Sequence, residues 1–267
     1  MNPIDGLFTR LRAAKRPAFM PFLTAGDPDL AFTAEALPVL AAAGADLVEV
    51  GFPFSDPIAD GPVIQASYTR ALNAGFKLAD LFPMLQRVSA TPGWSTPLVA
   101  MASYSIIWKK GIDAFLDVAV QSGLSGAVVP DLPAEEAEEM AKRCKERDFK
   151  LILLVTPTTA PARAEKIVKA CSGFVYVVSV VGITGTQTSV AGQVEGLLAR
   201  LRGITDLPLC VGFGVSKPEH VKALREIADG VIVGSALVKK LERAGTDRAG
   251  SLEELRQAVS GFALATH

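Results

Sequence analysis

Glu49 interrupts the apolar run Leu47, Val48, Val50. A charge turned into a core is costly unless it is paired or functional. Two readings follow: a structural ion pair, or a catalytic acid or base near the end of a strand. Eleven residues later stands Asp60, in the string S-D-P-I-A-D-G-P that also holds Asp56. Asp-Pro and Asp-Gly make turns without any chemistry, and spacing alone favours that role for both. A loop folding back over Glu49 would give Asp60 a second role, because two carboxyls in different surroundings can divide acid from base work.

Further along, V-G-F-G-V-S-K-P (211–218) and I-V-G-S-A (232–236) each place glycine just past a β-rich run. Backbone N–H groups at Phe213, Gly214, Gly234 and Ser235, with the start of the following helix, form the kind of turn on which barrels hold phosphate. Ser216 and Ser235 also read as helix N-caps. Tyr176, between Val175 and Val177, reads as core, with a hydroxyl aimed into a pocket as the alternative. Phe22, Ile64, Met101, Val178 and Ile232 are core or, where they face a mouth, walls of a slot for a flat aromatic group.

The positions just past the β-rich runs are Thr24, Glu49, Ser103 with Tyr104, Asp131, Thr156, Ser179, Gly212 to Gly214, and Gly234 with Ser235. None is Lys or His: Lys150 opens a run, His220 begins a helix and His267 ends the chain. Imine and metal chemistry therefore lack their usual residues. Carboxylates, hydroxyls and backbone N–H groups remain.

The elements that must position these groups are legible as eight short apolar runs: 18–23, 46–50, 97–101, 126–130, 150–155, 174–179, 207–212 and 230–234. Amphipathic stretches lie between them, such as 32–43, 111–122, 134–147, 162–170, 190–202, 217–227 and 236–244. Several runs are almost continuously apolar, as parallel strands covered on both faces require. Eight such units predict a single (β/α)8 TIM barrel over residues 1–267, one catalytic domain, with a doubly wound open sheet as the alternative. The barrel is preferred because no GxGxxG follows the first strand. Two connections are long and polar, 51–65 after the second strand and 181–193 after the sixth, and both read as site loops.

Composition agrees with one large core. The chain has 267 residues, 49% hydrophobic and 21% charged, with mean hydropathy +0.32, too apolar for a disordered chain. Lys plus Arg number 27 against 28 Asp plus Glu, without the basic excess that nucleic-acid binding requires. The N-terminus lacks an apolar targeting core and no window has the length of a membrane span. A cytoplasmic protein that binds neither nucleic acid nor membrane is expected. Cys144, Cys171 and Cys210 are odd in number and far apart, and suggest neither a disulfide framework nor a zinc site.

The strings P-F-L-T-A-G-D-P, E-V-G-F-P-F-S-D-P-I-A-D-G-P-V-I-Q, P-D-L-P-A-E-E, G-I-T-G, G-F-G-V-S-K-P and V-G-S-A occur in this order across nearly the whole chain. Together they closely resemble the tryptophan synthase alpha subunit family. The resemblance implies a (β/α)8 lyase that cleaves indole-3-glycerol phosphate to indole and glyceraldehyde 3-phosphate by a retro-aldol reaction. It implies no cofactor or metal in this chain, and a beta subunit partner, in an alpha2-beta2 heterotetramer, whose pyridoxal phosphate condenses the indole with serine.

Carried over by motif, Glu49 would transfer protons at indole C3 and the glycerol hydroxyl. Asp60 would stabilise charge at the indole N–H, Tyr176 would sit beside the reacting centre, and Phe22 would wall the indole pocket. Gly185, Gly214, Gly234 and Ser235 match phosphate-binding positions, with Phe213 alongside, and Thr184 would anchor a mobile loop. Asp56, Pro57 and Ser105 would face the partner. The family's Tyr-Tyr-Asn-Pro string and its Ser-Arg are Ser103-Tyr104-Ser105-Ile106 and Ser179-Val180 here. The resemblance assigns these positions to loop closure and partner contact, so the departures bear on coupling more than on bond cleavage. Two alternatives stand beside this reading: a free-standing lyase for the same substrate, and a weakly catalytic phosphate-binding barrel that activates a partner.

Overall fold

The computed structural model describes residues 1–179 and 187–267, with side chains in the second segment from Val194 onward. Among these residues nine strand segments are found: β1 Ala18–Thr24, β2 Val48–Gly51, β3 Leu98–Met101, β4 Leu124–Val128, β5 Lys150–Ile152, β6 Leu154–Val155, β7 Val175–Val178, β8 Leu209–Gly212 and β9 Gly230–Val233. They pair in the order β5-β4-β3-β2-β1-β9-β8-β7-β6, every ladder parallel. β5 and β6 are the two ends of the single run 150–155, parted only by Leu153. The first pairs with β4 and the second with β7, and the Tyr176 N–H donates to the Leu153 carbonyl at 3.2 Å. The ring therefore closes through this run, and the nine segments are the eight predicted strands. An open sheet would leave two edges far apart, so the barrel reading holds.

Alternation along each strand divides the core in two. Phe19, Leu23, Val48, Val50, Leu98, Ala100, Val175, Val177, Leu209, Val211, Val231 and Val233 face outward into the layer packed by helices. Met20, Phe22, Leu47, Val99, Met101, Val128, Ile152, Tyr176, Cys210 and Ile232 fill the inside of the ring. This period of two puts Glu49 on the inner side, two residues after Leu47. The helix Pro3–Ala13 plugs the N-terminal end of the ring with Ile4, Leu7, Phe8 and Leu11. Asn2 ties it down, accepting from the Ile4 N–H at 2.9 Å and donating to the Ser125 carbonyl at 3.0 Å.

The connection after β2 is shorter than expected. Pro62 and Val63 already belong to the helix Pro62–Asn73, because proline at the first helical position is pre-set for helix and gives up only an N–H that would lack a partner anyway. The irregular loop is thus 52–61. Residues 181–186 of the predicted connection after the sixth strand run lie outside the described residues. The part that is described begins the helix Gln187–Arg202.

Candidate active site

Glu49 is the second residue of β2, in register with Phe22 of β1 and Val99 of β3. It is 2% exposed, and its Oε1 has no hydrogen-bond partner among the described residues. No cation lies within ion-pair distance of it among those residues, so the structural ion-pair reading finds no support. Burial, then the nearby Asp60 charge, pushes its carboxyl up to about 8. The side chain consequently keeps its proton at neutral pH, as an acid in an apolar chamber does.

Asp60 closes the 52–61 loop over the same chamber. Gln65 donates to the Asp60 carbonyl at 2.8 Å and the Asp60 N–H donates to the Pro57 carbonyl at 3.1 Å. The helix that follows is pinned to the β1 end by the Thr24 and Ser67 hydroxyls, 2.6 Å apart, and by Arg70 on both oxygens of Asp27 at 3.0 and 2.6 Å. Burial, then the Asp131 charge, pushes Asp60 up to about 6, so near pH 7 it is mostly ionised. One chamber thus holds a protonated and an ionised carboxyl, the pairing that divides acid and base roles.

The cavity they share is lined by Phe22, Ile64, Met101, Tyr176 and Ile232 together with Phe213, Gly214, Gly234 and Ser235. Apolar walls stand on one side of it and two glycine turns on the other. Val178 is not among its lining residues and packs with the inner core. Burial drives the Tyr176 hydroxyl well above its ordinary acidity range, so the side chain is a neutral phenol. The ring meets Phe213 edge-on, centroids 6.2 Å apart.

The two turns differ from expectation in one respect. Neither Ser216 nor Ser235 caps a helix. The cap positions are Lys217 and Gly234, neither with a side-chain cap bond. The helices that follow, Pro218–Leu224 and Ser235–Val238, are short, so any anion here would be held by individual backbone N–H groups more than by a helix dipole.

A second recess adjoins the first, sharing Asp60 and Met101, and is lined by Asp56, Pro57, Tyr68, Ser103 and Asp131 among others. Asp131 binds the β3 end to the β4 end, accepting from the Ser103 hydroxyl at 2.6 Å and the Tyr104 N–H at 2.7 Å. Ser105 is exposed on the short helix Tyr104–Lys110 and lines neither cavity. Thr184, Gly185 and Val180 lie outside the described residues. Among the described residues no three His, Cys, Asp or Glu side chains gather as a metal site, and no helix is long and apolar enough to cross a membrane.

Gly51 and Tyr68 went unread in the sequence, and Gly212 was read there only as a strand-end position. Gly51 and Gly212 face inward, where a Cβ would strike the Phe22 ring and lie 2.9 Å from the Tyr68 Oη in the first case, and would strike the Tyr176 ring and hydroxyl in the second. Their signal was available, since each lies two residues past an inward side chain, Glu49 or Cys210. Tyr68 carried no such mark, because only the packing of its helix brings it to the chamber.

A profile of the tryptophan synthase alpha chain family matches residues 8–267. The tryptophan synthase alpha chain of Rhodopirellula baltica is 50% identical over 245 residues, 91% of this chain and 88% of that one. That of a Synechocystis species is 48% identical over 266 residues, 97% and 100% of the two chains. Among solved structures, the tryptophan synthase alpha subunit of Legionella pneumophila is similar with a TM-score of 0.90 at 33% identity, covering 100% of this chain and 98% of that one. Tryptophan synthase from M. tuberculosis in its aminoacrylate-bound form is similar with a TM-score of 0.88 at 30% identity, covering 100% of both.

Proposed function

The chain belongs to the tryptophan synthase alpha chain family and is a lyase, and on that premise we propose how its own residues cleave indole-3-glycerol phosphate. The observation that carries the assignment is the pair of carboxyls in one chamber, Glu49 pushed up to about 8 and Asp60 to about 6. The indole ring lies in the slot walled by Phe22, Ile64, Met101 and Ile232, and the phosphate rests on the turns at Phe213–Gly214 and Gly234–Ser235. Glu49 gives its proton to indole C3, which makes the ring an electron acceptor. Asp60, ionised, accepts the indole N–H hydrogen bond and stabilises the positive charge that develops there.

The carboxylate formed at Glu49 then takes the proton of the adjacent glycerol hydroxyl. The oxygen electrons form the aldehyde carbonyl, and the C–C bond pair returns to the ring. Indole and glyceraldehyde 3-phosphate leave with the proton count unchanged and Glu49 again protonated. Tyr176, a neutral phenol beside the reacting centre, excludes water from it. Thr184 and Gly185 complete the phosphate side in this proposal.

Pyridoxal phosphate belongs to the beta subunit of this family, so no step in this chain calls for it. We assign residues 1–267 to one catalytic domain acting in the cytoplasm. The chain pairs with a beta subunit in an alpha2-beta2 complex, through the face carrying Asp56, Pro57 and Ser105. The test is indole release from indole-3-glycerol phosphate by the purified chain, with and without a cognate beta subunit. Slow release that rises greatly with the partner is expected. Fast release indifferent to the partner would make the chain a free-standing lyase, and none in either case would overturn the reading.

A further inference from the structure

Phe213 is a non-glycine residue with φ +69°, followed by Gly214 at +75°. A side-chain-bearing residue in this left-handed region is disfavoured and persists only where its surroundings over-determine it. Behind this turn lies Ser179, which lines neither cavity at the mouth and is 3% exposed. Its hydroxyl lies 2.9 Å from the Gly212 carbonyl oxygen and 2.5 Å from that of Phe213, and its N–H donates to the same Gly212 oxygen at 2.9 Å.

In a planar trans peptide the C=O of one residue and the N–H of the next point in opposite directions. Drawing the carbonyls of Gly212 and Phe213 towards Ser179 therefore turns the N–H groups of Phe213 and Gly214 away from it. Neither N–H has a hydrogen-bond partner among the described residues, and both residues line the main cavity. We propose that Ser179 is a positioning residue for substrate phosphate: it aims two backbone donors from behind the turn without touching the ligand. The proposal rests on the phosphate placement given above.

Calorimetry on the full chain tests it with two probes, glycerol 3-phosphate and indole, alongside kcat and KM for indole-3-glycerol phosphate. Ser179→Ala should bind glycerol 3-phosphate five- to tenfold more weakly, about the worth of one hydrogen bond, and raise KM by a similar factor. Its indole affinity and kcat should stay within about twofold, because no group that touches the ring is altered. Ser179→Thr, which keeps the hydroxyl, should restore most of the phosphate affinity. Unchanged glycerol 3-phosphate binding in Ser179→Ala overturns the proposal. So does an equal loss for both probes, the mark of a merely loosened barrel. Should the alanine variant not fold, Ser179→Cys, near in size but a weak donor, takes its place with the same expected and overturning results. If the unaltered chain binds no glycerol 3-phosphate, the phosphate placement itself fails and takes this inference with it.

Discussion

Phe22 and Glu49 are register partners on neighbouring parallel strands, so the protonated carboxyl stands beside the aromatic wall of the chamber in the same layer of the barrel. Acidity and substrate contact are built by one ladder. Anything that leans on Phe22 consequently bears on the environment that keeps Glu49 protonated.

Glu49→Gln keeps the shape and removes the transferable proton. Indole release should fall by 10²-fold or more, the usual scale for a lost general acid–base group. Glycerol 3-phosphate binding, measured by calorimetry, should remain. Turnover within a few-fold of the unaltered chain would remove Glu49 from the chemistry.

The pH dependence of kcat/KM follows from the two carboxyls. Activity requires Asp60 ionised and Glu49 protonated, so the rate should rise as pH passes about 6 and fall as it passes about 8, with both limbs belonging to the coupled pair. A profile flat from pH 5 to 9 would contradict the assignment.

Stability has its own pH signature. The folded Glu49 value, about 8, lies above its ordinary 4.5, so the folded chain holds a proton that the unfolded chain releases between these values. This contribution is whole below about 4.5 and is lost as pH rises through about 8, at up to about 1.4 kcal/mol per pH unit. In urea unfolding, Glu49→Gln should gain stability over the unaltered chain as pH goes from 5 to 8. A difference independent of pH would show that the carboxyl is not held protonated.

Gly212→Ala sets a methyl group against the Tyr176 ring and hydroxyl. Overpacking of this kind costs about 1–3 kcal/mol, read as a lower urea midpoint, with turnover falling as Tyr176 is displaced. Adding Tyr176→Ala should make the second change cheaper than it is alone. Strict additivity of the two in a double-mutant cycle would mean that the two side chains do not compete for space.

Eight strands, their parallel pairing and the two carboxyls were legible in the sequence because their signals are local. Apolar runs of strand length recur between helical stretches, and a carboxylate interrupts one of them. The family strings added the reaction. The boundary at Pro62 was misjudged because a polar, turn-rich string gives no local sign of where its last residues become helical, although proline at a first helical turn was the clue available. The N-cap roles of Ser216 and Ser235 failed similarly, since a serine beside a helix start reads as a cap until the backbone shows which residue takes that place.

Tertiary structure alone decided the rest, for one physical reason: acidity and donor direction depend on neighbours distant in the chain. Whether Glu49 is an ion-paired strut or a protonated acid turns on which residues surround it, and those come from β1, β3 and the 52–61 loop. Asp60 ionises more readily than Glu49 because it is less deeply buried, and it does so against the Asp131 charge, which pushes it up. The direction of the Phe213 and Gly214 N–H groups is set by a serine thirty-odd residues earlier in the chain. Residue types and spacings supplied the chemical parts, and closure of the ring set their charges and their aim.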